Sequence, residues 1–360
     1  MKLCFILGTR PEIIKMCPLI RRCEIEKLDF FIIHTGQHYS YGLDKIFFDE
    51  LQIKEAKYNL EVGSSTHGKQ TGKMLEKIED VLMKEKPSVV LVEGDTNTVL
   101  AGALAASKLR IRVGHVEAGL RSYFREMPEE VNRVLADHIS DFLFVPTQKA
   151  KENALEEGIG KDKIFVTGNT IVDAVYQNLR LSEAKLSILS HLGVKKGKYF
   201  LLTAHRQENV DDKSKLNGMM AGLKRIYEKY GLPIIYPIHP RTRKMIDAFG
   251  IGLFEGLALI EPVGFFEFMQ LESNARLVLT DSGGVQEECC ILKVPCVTLR
   301  ENTERPETVE VGANILVGTD PSRILEGTDK MLSSKRDWPN PFGKGDASQK
   351  ILDVLKSKNV

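Results

Sequence analysis

Along its first half the chain repeats one pattern. A short apolar run of β-forming residues leads into a loop holding Gly, Asp, Thr or His, then into an amphipathic stretch of helical period. That alternation predicts a parallel, doubly wound sheet. Its clearest strands cover 3–7, 30–34, 89–92, 113–116 and 142–145. Each ends in a turn-rich loop at the C-terminal edge, where sheets of this kind bind ligands. After a polar helix near 173–190 the pattern starts again, with strands at 199–203, 234–237, 257–260, 277–279 and 296–299. The expected division is a first Rossmann-like domain over 1–170 and a second over 171–344. A Pro/Gly-rich connector beginning at Trp338 precedes an amphipathic helix carrying Ile351, Leu352 and Leu355, and residues 345–360 are expected to pack back on the first domain.

A chain of 360 residues suffices for two such domains, each with its own core. Fifty basic and forty-nine acidic residues leave a net charge of +1, which supplies no general field for a nucleic acid or a membrane. Any phosphate binding must be local. Six cysteines (Cys4, Cys17, Cys23, Cys289, Cys290, Cys296) form no CxxC pair and sit in apolar or helical surroundings, which fits reduced thiols better than zinc or disulfides. No apolar run approaches the roughly 18 residues of a membrane span, and no signal-like segment precedes the first strand, so a cytoplasmic protein is expected.

The loops at the strand ends carry the candidate chemistry. Gly8-Thr9-Arg10-Pro11-Glu12 opens a helix, with Arg10 as a forked donor and Lys15 one turn on; the alternative is a helix start with solvated charges. Asp95, in Glu93-Gly94-Asp95-Thr96-Asn97-Thr98, stands at the ligand edge, although Asp95, Thr96 or Asn97 can equally cap the next helix. Glu117 leaves the adjacent strand, and Glu129, Glu130 and Arg133 follow at a helix start. Crowded carboxylates raise at least one pKa and allow a general acid and a general base near neutrality. Their structural alternatives are a Glu117–Arg121 pair and a helix N-terminus favoured by Glu129 and Glu130.

In the second half, His205 follows a strand directly and can serve a phosphate or a proton transfer, or be a hydrogen-bonded surface histidine. His239 is similarly placed. The strongest local signal is the strand-to-helix turn Thr280-Asp281-Ser282-Gly283-Gly284, where two glycines and free helix amides suit a diphosphate; Glu288, a turn later, suits ribose hydroxyls. Neither GxGxxG nor GxxxxGK[ST] occurs, and neither a metal nor a cofactor is expected. An aromatic loop with Phe265 and Phe268 suits a base, with core packing the equal alternative for either Phe, and Arg305 either closes on the ligand or neutralises its neighbours.

In order, GTRPEIIKM, TGQH, EGDTNT, HVEAGLRS, PEEVNR, TAHRQEN, YPIHP, DSGGVQEE, TERPETVEVGAN and NPFGKGDAS resemble the non-hydrolysing UDP-N-acetylglucosamine 2-epimerases over nearly the whole chain. The resemblance implies an α/β, GT-B-like fold, two facing Rossmann-like domains with an interdomain active-site cleft. It implies diphosphate contacts from Arg10, Ser282, Gly283 and Gly284 with Lys15, His205 and Arg305 nearby, ribose at Glu288, and uracil at Phe268 and Val263, where this chain lacks the family's frequent polar side chain. Asp95, Glu117 and Glu129 match residues tied to catalysis, with His205 and Arg133 also expected at the sugar-diphosphate. Gln37, His38, Gln70, Arg206 and His239 match motifs associated with a second, activating UDP-GlcNAc.

The activity implied is reversible conversion of UDP-GlcNAc to UDP-ManNAc by elimination of UDP and re-addition, in a homodimer serving cell-surface polysaccharide biosynthesis. A GT-B glycosyltransferase, a hydrolysing epimerase and a non-catalytic UDP-sugar sensor are the competing readings.

Overall fold

The computed structural model describes residues 1–37, 47–184 and 187–358. The chain divides into two compact units, Met1–Tyr176 with Phe342–Val360, and Gln177–Pro341. The division falls inside the helix Thr170–Glu183. That helix is shorter than the sequence pattern suggests. A separate short helix, Ile188–His191, follows it, and the Ile188 amide donates to the Gln270 side chain at 3.0 Å.

The first unit holds seven parallel strands: β1 Lys2–Leu7, β2 Asp29–His34, β3 Tyr58–Asn59, β4 Val89–Glu93, β5 Arg112–Val116, β6 Phe142–Val145 and β7 Ile164–Val166. Their order across the sheet is β3-β2-β1-β4-β5-β6-β7. Helices cover both faces, so β1 and β4 are buried almost throughout and read as unbroken apolar runs. Leu3 lies opposite Val89 and Phe5 opposite Leu91, so the chain reverses its direction of winding between β1 and β4. The helix Asn97–Lys108 lies close over this junction: a Cβ on Gly102 would come within 3.1 Å of both Ile6 and Val92. The last helix, Ala347–Ser357, belongs to this unit and packs on Arg10–Ile25. Buried Asp173 fixes its start, accepting from the Ala347 and Ser348 amides at 3.1 and 3.0 Å.

The second unit holds β8 Phe200–Thr203, β9 Ile234–Pro237, β10 Leu257–Ile260, β11 Leu277–Thr280, β12 Cys296–Thr298 and β13 Asn314–Leu316, ordered β10-β9-β8-β11-β12-β13. All pairings are parallel. Its winding reverses between β8 and β11, where Thr203 lies opposite Thr280. Apolar layers lie on both faces, one around Leu202, Tyr236 and Leu279, the other around Leu201, Leu271 and Val278. β3, β7 and β13 have two or three residues each and carry no periodic signal, so the pattern does not reveal them. All six cysteines are buried and free. Among the described residues no helix is long and apolar enough to cross a membrane.

Candidate functional site

In each unit the two loops at the reversal of winding are among those singled out from the sequence, and neighbouring loops there turn away from each other and leave a crevice. After β1, a Cβ on Gly8 would meet the hydroxyls of Thr98 and Thr35 at 2.1 and 2.3 Å, so glycine is required there by packing. Buried Glu12 closes the loop, accepting from the Gly8 and Thr9 amides at 2.5 and 3.2 Å. Its other oxygen accepts from the Thr96 hydroxyl at 2.6 Å, which ties the loop after β1 to the loop after β4. Burial pushes the Glu12 carboxyl up to about 7, against those donors. Arg10 stands exposed at the helix start with its guanidinium 5.6 Å from the Phe47 ring centre.

Thr96 is the helix cap, its hydroxyl oxygen accepting from the Thr98 and Val99 amides at 3.2 and 3.4 Å. Asp95 is therefore left for another task, and its carboxylate pairs with Arg133. Arg133 also reaches Glu130 at 2.5 Å. Glu130 accepts from the Ser122 amide and hydroxyl at 3.0 and 2.9 Å and from the Tyr123 amide at 2.9 Å. Burial opposes its charge, but these donors and Arg133 hold its carboxyl below the usual range. Glu129 lies beside it, half-buried, with no side-chain hydrogen bond or ion pair among the described residues.

Glu117 follows β5 in the left-handed region, φ 65°, which costs a glutamate backbone energy. Its carboxylate accepts from Lys15 Nζ at 2.5 Å and from Asn169 Nδ2 at 3.2 Å. Lys15 also lies 3.2 Å from Glu93 Oε1. Lys15 thus stands between two buried glutamates, a contact not contained in its sequence-based reading as a phosphate neighbour. Burial drives the Glu93 carboxyl well above the usual range; Lys15 opposes this, while Glu117 and Glu12 add to it. Arg121 does not pair with Glu117; it reaches Asp137 at 2.7 Å and Glu157 at 2.6 Å.

In the second unit, fully buried Asp281 accepts from the His205 and Arg206 amides at 3.0 and 2.9 Å, joining the loop after β8 to that after β11. The His205 ring remains half-exposed, Nδ1 lying 3.5 Å from Asp281 Oδ1. Ser282 precedes the helix Gly283–Leu292 but its side chain does not cap it. Neither Gly283 nor Gly284 has positive φ, and an added Cβ would find its nearest protein atom at 3.6 and 4.0 Å respectively. The fold itself does not demand glycine at either position. Arg305 Nε lies 2.9 Å from buried Glu287 Oε1. Glu288 is half-buried beside Glu272, whose carboxyl is pushed well above the usual range by burial first and by Glu288 second. Val263 and Phe268 pack, half-buried, on the layer around Leu271 and Val278.

Of the residues matched to a second nucleotide, His38 lies outside the described residues. Gln37 and Gln70 are buried and serve neighbouring loops. Gln70 Nε2 donates to the Gln37 and Gly63 carbonyls at 3.2 and 2.9 Å, and the Thr98 hydroxyl donates to Gln37 Oε1 at 2.8 Å. Arg206 is paired with Glu304 at 2.5 Å. His239 caps the helix Pro240–Phe249 with Nδ1, its ring centre 6.1 Å from that of His205. Sequence reasoning assigned no role to Glu12, Glu93, His115, Asp137 or Asp281. Glu93 closes an otherwise apolar strand and was the one visible clue, since a charge in such a run needs a partner.

A family model described as UDP-N-acetylglucosamine 2-epimerase matches residues 21–356. The UDP-N-acetylglucosamine 2-epimerase of Methanocaldococcus jannaschii is similar at 59% identity over 99% of both chains. A crystal structure of the UDP-GlcNAc 2-epimerase of that organism in complex with UDP-GlcNAc and UDP matches with a TM-score of 0.87 and 58% identity, over 99% of this chain and 100% of that one. The UDP-2,3-diacetamido-2,3-dideoxy-D-glucuronate 2-epimerase of Pseudomonas aeruginosa is 42% identical over 99% of both chains. Two parallel sheets and these neighbours make the fold GT-B-like, the class that the sequence resemblance implies.

Proposed function

The chain belongs to the UDP-N-acetylglucosamine 2-epimerase family, and from that premise we propose that it interconverts UDP-N-acetylglucosamine and UDP-N-acetylmannosamine by eliminating UDP and adding it back. The observation that carries this reading is the Glu93–Lys15–Glu117 cluster beside the Asp95–Arg133 pair: carboxylates at adjacent strand ends, two of them buried around one lysine. Such an arrangement suits removal of a proton from one face of C2 and delivery to the other.

In the first step a base takes the C2 proton, the C1–O bond to the diphosphate breaks, and a C1=C2 double bond forms in 2-acetamidoglucal. In the second, the diphosphate oxygen returns to C1 while a proton is added to the opposite face of C2. Asp95 and Glu117 are the proposed pair for these transfers, with Glu129 a third carboxylate near them. Arg10, His205, Arg305 and the Ser282–Gly284 turn would receive the departing charge, with Glu288 on ribose and Phe268 and Val263 at uracil. The absence of any packing reason for Gly283 and Gly284 supports close approach of a ligand there. Lys15 then acts on the carboxylates rather than on the phosphate.

The chain is proposed to work in the cytoplasm as a homodimer. A second UDP-GlcNAc as activator is supported by a relative seen in complex with both UDP-GlcNAc and UDP. Here Gln37 and Gln70 would have to exchange their present partners for it. A sigmoidal dependence of rate on UDP-GlcNAc is the expected sign.

Proton NMR of UDP-GlcNAc with the protein in deuterium oxide tests the main reading. Appearance of UDP-ManNAc with deuterium at C2, without acceptor and without loss of UDP, is expected. Free ManNAc would indicate hydrolysis; no exchange at C2 would leave a transferase or a sensor. Turnover only of the diacetamido-glucuronate substrate would move the chain to the specificity of its Pseudomonas relative.

A further inference from the structure

One buried histidine lies between the two loops that bear Asp95 and Glu117. His115, in β5, is fully buried, as is Asp137. Its Nδ1 lies 2.7 Å from Asp137 Oδ1 and its Nε2 lies 2.7 Å from the Gly94 carbonyl oxygen. A backbone carbonyl only accepts. Asp137 is ionised and so also an acceptor: burial opposes its charge, but His115 and Arg121, whose Nη1 lies 2.7 Å from its second oxygen, hold its carboxyl below the usual range, and that oxygen also receives the Gly119 amide at 3.0 Å. Both ring nitrogens of His115 must therefore carry protons, which makes it an imidazolium. Burial works against that charge, but Asp137 and the Gly94 carbonyl outweigh it and hold the ring above its ordinary pKa. The charged groups around the ring are Asp137, Arg121 behind it, and Asp95 beyond Gly94.

The consequences fall on both loops. Gly94 has φ 85° and immediately precedes Asp95; its amide donates to the Val116 carbonyl at 3.2 Å. Gly119, two residues after the strained Glu117, has φ 78°, and its carbonyl accepts from Asn153 Nδ2 at 3.0 Å. No side chain fits there, because a Cβ would stand 2.3 Å from the Ala150 carbonyl oxygen.

We propose that His115 and Asp137 form a positioning dyad that fixes the loops of Asp95 and Glu117 relative to each other. The proposal rests on the reading of Asp95 and Glu117 as the proton-transfer pair. Neither dyad residue is expected to touch substrate.

His115→Gln and Asp137→Asn test it, with Asp95→Asn and Glu117→Gln as references, each measured for kcat, KM and UDP affinity. The dyad variants are expected to lose about 30-fold or more in kcat while KM and UDP affinity change less than about threefold. If the references lose turnover and the dyad variants lose only thermal stability, the dyad has no positioning role. If the references keep near-normal turnover, the proton-transfer reading itself fails. Should the variants not fold, 15N NMR of histidine-labelled wild-type enzyme decides: a buried ring protonated on both nitrogens through pH 8 supports the dyad, and its absence overturns it.

Discussion

Replacing Lys15 by Met removes the cation between Glu93 and Glu117 and little of the packing stem. Lys15 is 13% exposed, and the two carboxylates are 2% and 6% exposed. At an effective dielectric of about 20, its attraction for the Glu117 carboxylate at 2.5 Å is worth about 7 kcal/mol before desolvation. Breaking a buried pair from one side costs about 3–5 kcal/mol net. Protonation sets a ceiling on that cost, because a carboxylate left unpaired can bind a proton. Against an unfolded pKa of about 4.5, this costs about 5 kcal/mol at pH 8 but about 2 kcal/mol at pH 6. The sign follows: the variant's carboxyl has a folded pKa above its unfolded one, so the destabilisation vanishes near pH 4.5 and grows as pH rises. At about 3 °C per kcal/mol for a unit of this size, the first unit of Lys15→Met should melt about 12 °C below wild type at pH 8 and about 6 °C below at pH 6. Adding Glu117→Gln should recover most of the loss and flatten its pH dependence. Differential scanning calorimetry at the two pH values measures both. A variant melting within about 2 °C of wild type at pH 8, or a double variant no better than the single, would refute the argument.

Asp95→Asn and Glu117→Gln should each lower turnover by roughly 100-fold or more with UDP binding retained, read by steady-state kinetics and calorimetric titration; near-normal turnover in both sinks their assignment. Gly284→Ala should weaken UDP binding about tenfold while the melting temperature stays within about 1 °C, since the new Cβ meets no protein atom closer than 4.0 Å. Burial pushes the Glu12 carboxyl from its ordinary 4.5 up to about 7, so it binds more protons folded than unfolded between those values. Wild type should therefore lose about 3 kcal/mol relative to Glu12→Gln from pH 4.5 to 7 and nothing further above, as followed by urea unfolding.

Much of the candidate site was legible in the sequence because its loops follow strong local signals. A Gly-bearing turn after an apolar strand, as at Gly8 and at Ser282–Gly284, depends on backbone chemistry within a few residues. Asp95, Glu117 and His205 were visible for the same reason, each standing at a strand end. The partner of each was not. Lys15 pairs with Glu117 across 102 residues, Arg133 with Asp95 across 38, and the Arg206 amide with Asp281 across 75. Nor does local pattern show that Thr96 caps its helix and leaves Asp95 free, because either side chain suits that position.

What the sequence determined by itself was the alternation of strand and helix, the loops at the strand ends and the residue types they carry, since periodicity and turn chemistry are short-range. Tertiary structure alone decided that β4 lies beside β1 and β11 beside β8. Strand order arises from which apolar faces can be covered together, a property of the whole chain. That order brings Glu12 to Thr96 and Asp281 to the His205 and Arg206 amides. It also buries Glu93 and His115 and sets beside them the partners that, with burial, decide their charge, none of which a local pattern encodes.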